Sequence, residues 1–327
     1  MISIVIPTWN GRHLLERSLP ALLHQVDSTT TIIVVDNGSS DGTCDWIEET
    51  YPDVRRIGFP ENRGFSAAVN EGIRAAGTSD VILVNNDTLA EPEWLNRLVN
   101  AASTYTEYHM FASRVLLMDP PDHLDTIGDG FTIAGFGYKI AWLHHDDDVP
   151  RELREVFGAS GCAVYIRRCV FDRIGVFDED FFAFGEDLDF SFRARLAGYR
   201  ILSVPDARIH HAVRATAVKD HTLFWYHRNI IWLILKNFPW QLLCLYMPHL
   251  IAQNILVCAT SILRGWFSVY VRSMRAAIQG IPAVLVKRRI VQKQRRIPVR
   301  AIRDVLDANW IGIHIRLHRA KKLLFSR

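Results

Sequence analysis

The sequence predicts an α/β fold, in which a mostly parallel sheet is flanked by helices and followed by a helical C-terminal region. Apolar, strand-like runs alternate with helical patterns over about the first 100 residues, and the composition changes sharply near residue 219. Alternation of this kind predicts a parallel sheet that is covered on both faces. With 327 residues, of which 49% are hydrophobic, the chain is long enough for one sizeable domain and an appendage.

Four strand and helix pairs follow one another from the N-terminus. The strand-like runs are rich in β-branched and aliphatic residues, and the segments after them place apolar residues at helical spacing. No Gly-x-Gly-x-x-Gly follows the first strand and no Gly-x-x-x-x-Gly-Lys occurs, which disfavours a dinucleotide-binding Rossmann domain and a P-loop NTPase. The predicted pairs are residues 2–7 with 12–25, 31–36 with 42–50, 54–59 with 64–76, and 81–85 with 91–103.

The regular alternation stops between residues 119 and 156. Pro120-Pro121, several glycines and the polar run at 144–148 predict long loops in this segment. Beyond it, the pattern predicts a strand at 158–167, a short helix at 168–174, a helix at 187–197 and a strand at 200–205.

Acidic residues stand at the ends of these elements. Asp36 and Asp87 follow predicted strands, and the pair Glu186-Asp187 opens a predicted helix. Because ligands of open α/β sheets bind at the carboxyl ends of the strands, these carboxylates are expected to face one ligand. Structural roles are also open: Asp36 suits a turn, Asp41 suits a helix cap, and the Glu186-Asp187 pair suits a first helical turn.

Six motifs occur in order over residues 1–215. They are residues 3–10 (SIVIPTWN), 36–42 (DNGSSDG), 62–66 (NRGFS), 85–88 (NNDT), the Glu186-Asp187 pair and residues 205–211 (PDARIHH). Taken together, they resemble the motifs of the family 2 glycosyltransferases, which have the GT-A (Rossmann-like) fold and use a nucleotide-sugar donor and a divalent metal ion.

The resemblance implies a donor nucleotide site at the first strand ends and a metal site beside it. Asp87 occupies the last position of the family's Asp-x-Asp metal motif, where Asn85 replaces the first aspartate. The family carries a histidine six residues after the proline of 205–211, which corresponds to His211. Mg²⁺ and Mn²⁺ are both compatible, since hard cations accept a few carboxylate oxygens together with phosphate oxygens. The implied donor-binding residues are Pro7, Thr8, Asn10, Asp36, Asp41, Gly64 and Asn86.

By position, Asp187 resembles the catalytic base of inverting family members, with Glu186 beside it in the catalytic pair. Such a base needs a carboxylate within hydrogen-bond reach of the attacking hydroxyl and a pKa that is adjusted by its neighbours. Asp189 and Trp142 are expected to contact the acceptor, and the 119–156 loops to lie on the acceptor side. An alternative assigns the acids a structural role, paired with Arg193 and Arg195.

The C-terminal region carries most of the positive charge. Residues 219–327 contain 19 Lys and Arg against three Asp, a net charge of +16, so residues 1–218 carry −13. Residues 237–263 contain no charged side chain, a length sufficient to span a bilayer, but Pro248, His249, Gln253 and Asn254 interrupt them. We therefore expect helices lying on an anionic membrane surface, with a single span as the alternative, and no nucleic acid as partner.

The N-terminus has no basic n-region or cleavage site, and the five scattered cysteines indicate reduced thiols. The sequence thus predicts a catalytic domain at 1–218 and a membrane-associating region at 219–327, at the cytoplasmic face of the membrane. The predicted function is inverting, metal-dependent transfer from dTDP-rhamnose or a UDP-hexose to a lipid-linked or cell-envelope glycan. A sugar nucleotidyltransferase or a non-catalytic membrane scaffold are the alternatives.

Overall fold

A computed structural model describes residues 1–213 and 219–325, and within these it contains a ten-stranded mixed sheet and a separate two-stranded sheet. The expected boundary at residue 218 lies outside the described residues. The strands are β1 (Ile2–Thr8), β2 (Thr30–Asp36), β3 (Arg55–Gly58), β4 (Asp80–Val84), β5 (Thr88–Ala90), β6 (Met110–Leu117), β7 (Leu124–Thr126), β8 (Asp129–Phe131), β9 (Gly137–Lys139), β10 (Arg154–Glu155), β11 (Ala163–Ile166) and β12 (Ile201–His211).

The predicted parallel part of the sheet is present. Its main path runs β10-β12-β6-β11-β4-β1-β2-β3, with β5 paired to β12 and β7 to β6. Strands β4, β1, β2 and β3 are parallel, as are β12 and β6, while β11 lies antiparallel between β4 and β6. The carboxyl ends of β1, β2 and β4 therefore lie at one edge, where the polar loops follow.

Helices cover both faces of this sheet. Alternate residues of one strand enter opposite cores, so that Ile4 and Ile6 pack on one side and Val5 on the other. Such burial on both faces explains why the strands are continuously apolar. The helices over residues 1–213 are α1 (Arg12–Leu23), α2 (Thr43–Thr50), α3 (Phe65–Ala75), α4 (Trp94–Thr104), α5 (Arg168–Ile174) and α6 (Glu186–Leu196).

The C-terminal region is helical, as predicted, but it shares a core with the preceding residues. Phe131, Phe181 and Phe192 pack with Trp232 and Phe238 in one buried cluster. The two predicted regions therefore share apolar contacts, and their separate roles stay a prediction. Its helices are α7 (Lys219–Asn237), α8 (Trp240–Leu263), α9 (Phe267–Gln294), α10 (Val299–Val305) and α11 (Trp310–Phe325).

Ion pairs, which are buried on α7 and partly exposed on α9, connect these two helices to the rest of the protein. Lys236, only 2% exposed, lies 2.6 Å from Asp178 and 2.9 Å from Asp189. Lys287 on α9 pairs with the same Asp178, and Arg193 pairs with Asp189 at 2.9 Å. Because each buried charge has a partner of opposite sign, removing one member leaves the others uncompensated.

Helix α8 differs from the other long helices in its exposure. By length and composition it is the one helix of the described residues that could cross a membrane, with a mean hydropathy of 1.6 and 6% burial over its most apolar window. Large apolar side chains are exposed along it, including Trp240, Leu245, Ile251 and Leu263.

Two predictions about the middle of the chain need correction. The 119–156 segment is not only loop, because it contributes β7 to the main sheet and forms the β8–β9 hairpin. The strand expected at 200–205 extends through His211, so both histidines lie on β12. Pro205 did not end it because the register with β6 shifts between Val204 and Arg208 and then resumes.

Candidate active site

A cleft of about 770 Å³ opens at the carboxyl ends of β1, β2 and β4. Eight of the predicted site residues line it, and it extends to α7, which contributes His221, Thr222, Trp225 and Tyr226. The sheet edge, the loop before α6 and the first turns of α7 thus converge. The predicted residues that line the cleft are Pro7, Thr8, Gly64, Asn86, Asp87, Glu186, Asp187 and His211.

One wall, which we term the amide side, consists of Thr8, Asn37, Asn62, Gly64 and Asn86. Asn86 Nδ2 donates to Thr8 Oγ1 at 2.8 Å, and Asn37 Nδ2 donates to Asn62 Oδ1 at 3.0 Å and to the Gly64 carbonyl at 3.1 Å. These bonds fix side chains from three loops in one arrangement before any ligand binds. Asn37 and Asn62 belong to the quoted motifs but were not among the predicted site residues.

Close packing and the backbone conformation both require a glycine at position 64. Its φ is +89°, and an added Cβ would lie 2.6 Å from Phe182 Cδ2. A side chain at this position would therefore be both strained and in collision.

Three predicted donor residues lie behind the amide side and do not line the cleft. Asp36 is buried, accepts a 3.0 Å bond from the Ser39 N–H, and lies 2.7 Å from Cys44 Sγ. Asn10 Oδ1 accepts a bond from the Ser40 N–H at 2.8 Å. These contacts favour the turn role that was open for Asp36, and a direct donor contact stays a prediction.

Asp41 joins the starts of two helices. Its carboxylate accepts bonds from the N–H groups of Arg12 at 3.1 Å and Thr43 at 3.2 Å, the first residues of α1 and α2. Burial opposes ionisation, but these bonds and one from the Thr43 hydroxyl leave the pKa of Asp41 below its usual value. The geometry favours the capping role.

Asp87 and His211 are adjacent at the base of the cleft. Asp87 Oδ1 lies 3.4 Å from His211 Nε2, and His211 Nδ1 lies 2.9 Å from Asp125 Oδ2. Burial lowers the pKa of His211, but Cys162, Asp125 and Asp87 outweigh it and raise this pKa well above the usual value. In the absence of a ligand, a positive imidazolium thus faces the Asp87 carboxylate.

The residues at this place fit a divalent cation in part. Asp87 Oδ1 and Asn85 Oδ1 are buried and have no hydrogen-bond partner among the described residues. Within residues 1–213 and 219–325, no three His, Cys, Asp or Glu side chains converge as a complete metal site. The protein therefore offers Asp87 and His211, and the remaining ligands would come from the diphosphate of a donor and from water.

The opposite wall, the acidic side, brings Asp129, Glu186 and Asp187 together in a buried place. Burial, followed by the charge of Asp187, raises the pKa of both Glu186 and Asp129 to about 8. Burial also raises the pKa of Asp187, against bonds that its carboxylate accepts from the N–H groups of Gly161 and Leu188. Glu186 Oε2 is buried without a hydrogen-bond partner among the described residues.

The backbone before the acidic pair is held in an unusual conformation. Phe182, Phe184 and Gly185 have φ values of 61°, 69° and 89°. The fully buried Asn229 of α7 donates to the carbonyls of Phe181, Ala183 and Phe184 at 2.9, 2.9 and 2.7 Å. Non-glycine residues with positive φ persist only where their surroundings hold them. The C-terminal region therefore shapes the loop that precedes Glu186.

Neither of the expected acceptor contacts lies in the cleft. Asp189 is fully buried on the far side of α6, where Arg193, Lys236 and Asn237 surround its carboxylate. This corrects the expectation, because helical spacing turns residue 189 away from residue 187. Trp142 is half-buried beside a turn that packs on β7 and does not line the cleft either.

Sequence reasoning missed the contribution of the β8–β9 hairpin. Asp129 and Lys139 stand opposite each other across it, and both line the cleft. Lys139 Nζ lies 2.6 Å from Asp125, and although burial opposes ionisation, Lys139 and His211 lower the pKa of Asp125 to about 2. The sequence signal for these two residues was weak, because it consisted of charged residues among glycines in a segment that was interpreted as loop. Asp125 is expected to orient His211, as carboxylates do for metal-bound histidines.

Comparison with known proteins agrees with this geometry. The model of "Glycosyl transferase family 2" matches residues 3–175, more than half of the chain. The chain belongs to this family. A Mycobacterium tuberculosis N-acetylglucosaminyl-diphospho-decaprenol L-rhamnosyltransferase is 27% identical over 240 residues, which cover 66% of this chain and 78% of that protein. The Haloferax volcanii hexosyltransferase Agl10 is 26% identical over 199 residues, or 59% of this chain and 61% of its own length.

Solved structures support the same fold for this family 2 glycosyltransferase. S. aureus TarS 1-349 in complex with UDP aligns with a TM-score of 0.56 and 18% identity, over 90% of this chain and 86% of that one. The Pyrobaculum calidifontis mannosyltransferase PcManGT, in complex with GDP-Man and Mn²⁺, aligns with a TM-score of 0.52 and 17% identity over 86% of both chains. The predicted GT-A fold is confirmed, and a glycosyltransferase replaces the nucleotidyltransferase and scaffold alternatives.

Proposed function

We propose that this enzyme transfers a sugar with inversion from a nucleotide-sugar to a lipid-linked glycan, with Asp187 as the general base. The observation that carries the proposal is the placement of Asp187 and Glu186 in the same cleft as Asp87 and His211. The acidic side of the cleft can accept a proton, and the residues at the bottom of the cleft can neutralise a diphosphate. Rhamnose from dTDP-rhamnose is our first candidate donor, since a rhamnosyltransferase is among the relatives, and UDP-hexoses are the second.

The residues have separate tasks in this scheme. The Asp187 carboxylate takes the proton of the acceptor hydroxyl, and its raised pKa makes it a stronger base than an exposed aspartate. Glu186 stays protonated near neutral pH, since its pKa is about 8, and so does not repel the ionised base. Asp87 and His211 would hold Mg²⁺ or Mn²⁺, which supplies electrostatic stabilisation of the departing diphosphate. The amide side holds the nucleoside.

The direct test is a donor panel with the purified full-length enzyme. We expect dTDP-rhamnose or a UDP-hexose to release nucleoside diphosphate only with a lipid-linked acceptor and Mg²⁺ or Mn²⁺, and the product to have the inverted anomeric configuration. Asp187→Asn should retain donor affinity and lose about 10²- to 10⁴-fold in kcat, the usual range for a general base.

Exposed Asp172→Asn provides the matched control, because it removes the same charge from α5 outside the cleft. It should keep the activity of the wild type. Near-normal turnover by Asp187→Asn, or a product with retained configuration, would refute the assignment of the base.

We further propose that the enzyme associates with an anionic membrane surface through α8 and the basic helices after it. The support is the exposed apolar surface of α8 together with the excess of Lys and Arg over 219–327. A truncation before α7 is a poor test, because it would remove Asn229 from the loop that precedes Glu186. Substitution within α8 avoids this problem.

Leu245→Glu with Ile251→Glu should reduce co-sedimentation with vesicles that contain anionic lipid. The control is Leu153→Glu, which places one carboxylate at an exposed apolar position of the catalytic region, and it is compared with each α8 substitution made singly. Equal sedimentation of the α8 double variant and the wild type would exclude α8 as the membrane contact.

A further inference from the structure

A second cavity, of about 640 Å³, lies between α7, α8 and α11. Leu256 and Val257 form its apolar wall on α8, and Leu223 contributes from α7. Arg264, His318 and Arg319 line it at exposed positions. The lining therefore combines an apolar interior with a cationic edge, which is the complement of an anionic amphiphile.

One nitrogen of a buried imidazole in this cavity has no hydrogen-bond partner in the part of the chain that the structure describes. His227 is 9% exposed, stacks on Trp266 with ring centroids 5.1 Å apart, and has no hydrogen bond at Nε2 among the described residues. An unpaired buried polar atom is costly, and it points to a partner that is supplied by a ligand. Burial also lowers the pKa of His227 to about 4, so the ring is neutral at pH 7 and can donate one hydrogen bond.

The second cavity borders the catalytic cleft. Thr222 and Tyr226, one turn apart on α7, line both spaces. Burial, followed by the charges of Asp187 and Asp129, raises the pKa of Tyr226 to about 12, so this side chain lies within the field of the acidic side. A ligand held in the second cavity can therefore present its other end to Asp187.

Helix α8 gives this cavity an apolar approach. Its outer surface exposes Ile262 and Leu263, close in sequence to Thr260 and Arg264 of the lining. A hydrocarbon chain that enters along α8 would stay on apolar surface, while its charged end would meet Arg264 and Arg319. A free phosphate would gain nothing from the apolar wall.

We propose that the cavity between α7, α8 and α11 is the acceptor subsite, which binds the hydrocarbon chain and diphosphate of an isoprenoid-type lipid. The chain packs against Leu256 and Val257, and the diphosphate binds Arg264, Arg319 and the N–H of His227. The sugar attached to the diphosphate passes Thr222 and Tyr226 to reach Asp187. This inference rests on the proposed transfer to a lipid-linked acceptor and names the part of the chain that recognises the lipid.

Direct binding tests the subsite independently of catalysis. The probe is farnesyl diphosphate, titrated into the full-length enzyme in detergent, with farnesol and inorganic pyrophosphate as separate arms. We expect farnesyl diphosphate to bind at least about tenfold more tightly than either arm, since both parts of the cavity are then used. Equal affinity for pyrophosphate would identify a phosphate site only and overturn the lipid assignment.

Two variants locate the bound probe. Val257→Trp fills the cavity, and the double variant Arg264→Gln with Arg319→Gln removes its charged edge. Each should weaken farnesyl diphosphate binding by about tenfold or more, the effect of losing a charged hydrogen-bond partner or the space itself. Their matched controls are Val286→Trp on exposed α9 and the double variant Arg300→Gln with Arg303→Gln on α10, all outside the cavity.

Wild-type affinity in both cavity variants would overturn the subsite. In the transfer reaction, the cavity variants should raise KM for a long-chain lipid diphosphate acceptor and leave KM for the donor unchanged. Binding that the variants weaken, together with no sugar transfer to any lipid acceptor, would keep the subsite and refute the proposed function. Sugar transfer with an acceptor KM that the cavity variants leave unchanged would keep the proposed function and refute the subsite.

Discussion

The amide side and the acidic side of the cleft are built in opposite ways. On the amide side, Asn37 donates to Asn62 and to the Gly64 carbonyl, and Asn86 donates to Thr8. On the acidic side, Asp129 and Glu186 are buried together with Asp187, and Glu186 Oε2 has no partner among the described residues. Satisfied polar groups give a rigid binding surface, whereas buried like charges give reactive groups with shifted pKa values.

The difference extends to what holds each side in place. The amide side is supported by local contacts between loops that follow neighbouring strands. The acidic side depends on α7, which comes from the C-terminal region and supplies Asn229 and Lys236. The region expected to serve the membrane therefore also supports the catalytic pair. Four predictions test this comparison.

Removal of the buried ammonium of Lys236 should have the largest effect on stability. Lys236→Met leaves Asp189 and Asp178 with one fewer cation in a buried place, which should cost about 3–5 kcal/mol in the free energy of unfolding. Lys287→Met is the matched control, because its side chain is 35% exposed and pairs with the same Asp178. It should cost about 1 kcal/mol or less by urea unfolding. Equal losses would contradict the buried network.

Loss of the Asn229 side chain should loosen the loop before Glu186. Asn229→Ala removes the side-chain donor of the Ala183 and Phe184 carbonyls, while that of Phe181 keeps Arg228, so we expect about 1–3 kcal/mol lower stability. Misplacement of the catalytic pair by about 1 Å should lower kcat about 100-fold. Donor affinity should change less than kcat, because the amide side touches this loop at Gly64 and Phe182 but is otherwise joined by its own hydrogen bonds. Asn254→Ala on exposed α8 is the control, and a normal kcat in Asn229→Ala would disprove the coupling.

The acidic side should make stability fall as pH rises. The pKa of Glu186 is about 8 in the folded protein, against an ordinary value of 4.5. Between these values the unfolded chain releases a proton that the folded protein keeps, so the free energy of unfolding decreases by up to about 1.4 kcal/mol per pH unit. Glu186→Gln should make this slope shallower in urea unfolding at pH 5–8, while Asp129, whose pKa is also about 8, retains its own part of the slope.

Glu48→Gln, an exposed glutamate on α2, serves as the reference for Glu186→Gln. It removes the same charge and should leave the slope unchanged. If the free energy of unfolding had the same pH slope in Glu186→Gln and Glu48→Gln, Glu186 would not be the group that keeps a proton in the folded protein.

Removal of the helix cap that Asp41 forms behind the amide side should have the smallest effect. Asp41→Ala removes the acceptor for the first N–H groups of α1 and α2, at a cost of about 1 kcal/mol by thermal unfolding. The kcat should stay normal, in contrast to Asn229→Ala. A large loss of donor affinity with unchanged stability would instead favour a direct nucleotide contact by Asp41.

Local sequence was sufficient for the first four strands, the helices that alternate with them and the sheet edge at which the site lies. The alternation of apolar runs and helical patterns predicted β1 to β4 within one or two residues at each end. Their parallel pairing follows because helices connect them. The positions of Asp87, Glu186 and Asp187 could be inferred from motif order for the same reason: each follows or opens a regular element.

Long-range contacts settled what each polar side chain does. Asp187 and Asp189 are two residues apart, yet one lines the cleft and the other is buried against Lys236, because a helix turns about 100° per residue. Asp129, Lys139 and Asn229 have no local signal of function, since their roles arise from packing between segments far apart in the chain. Burial and neighbouring charge determine which side chains are reactive, and both are properties of the folded protein.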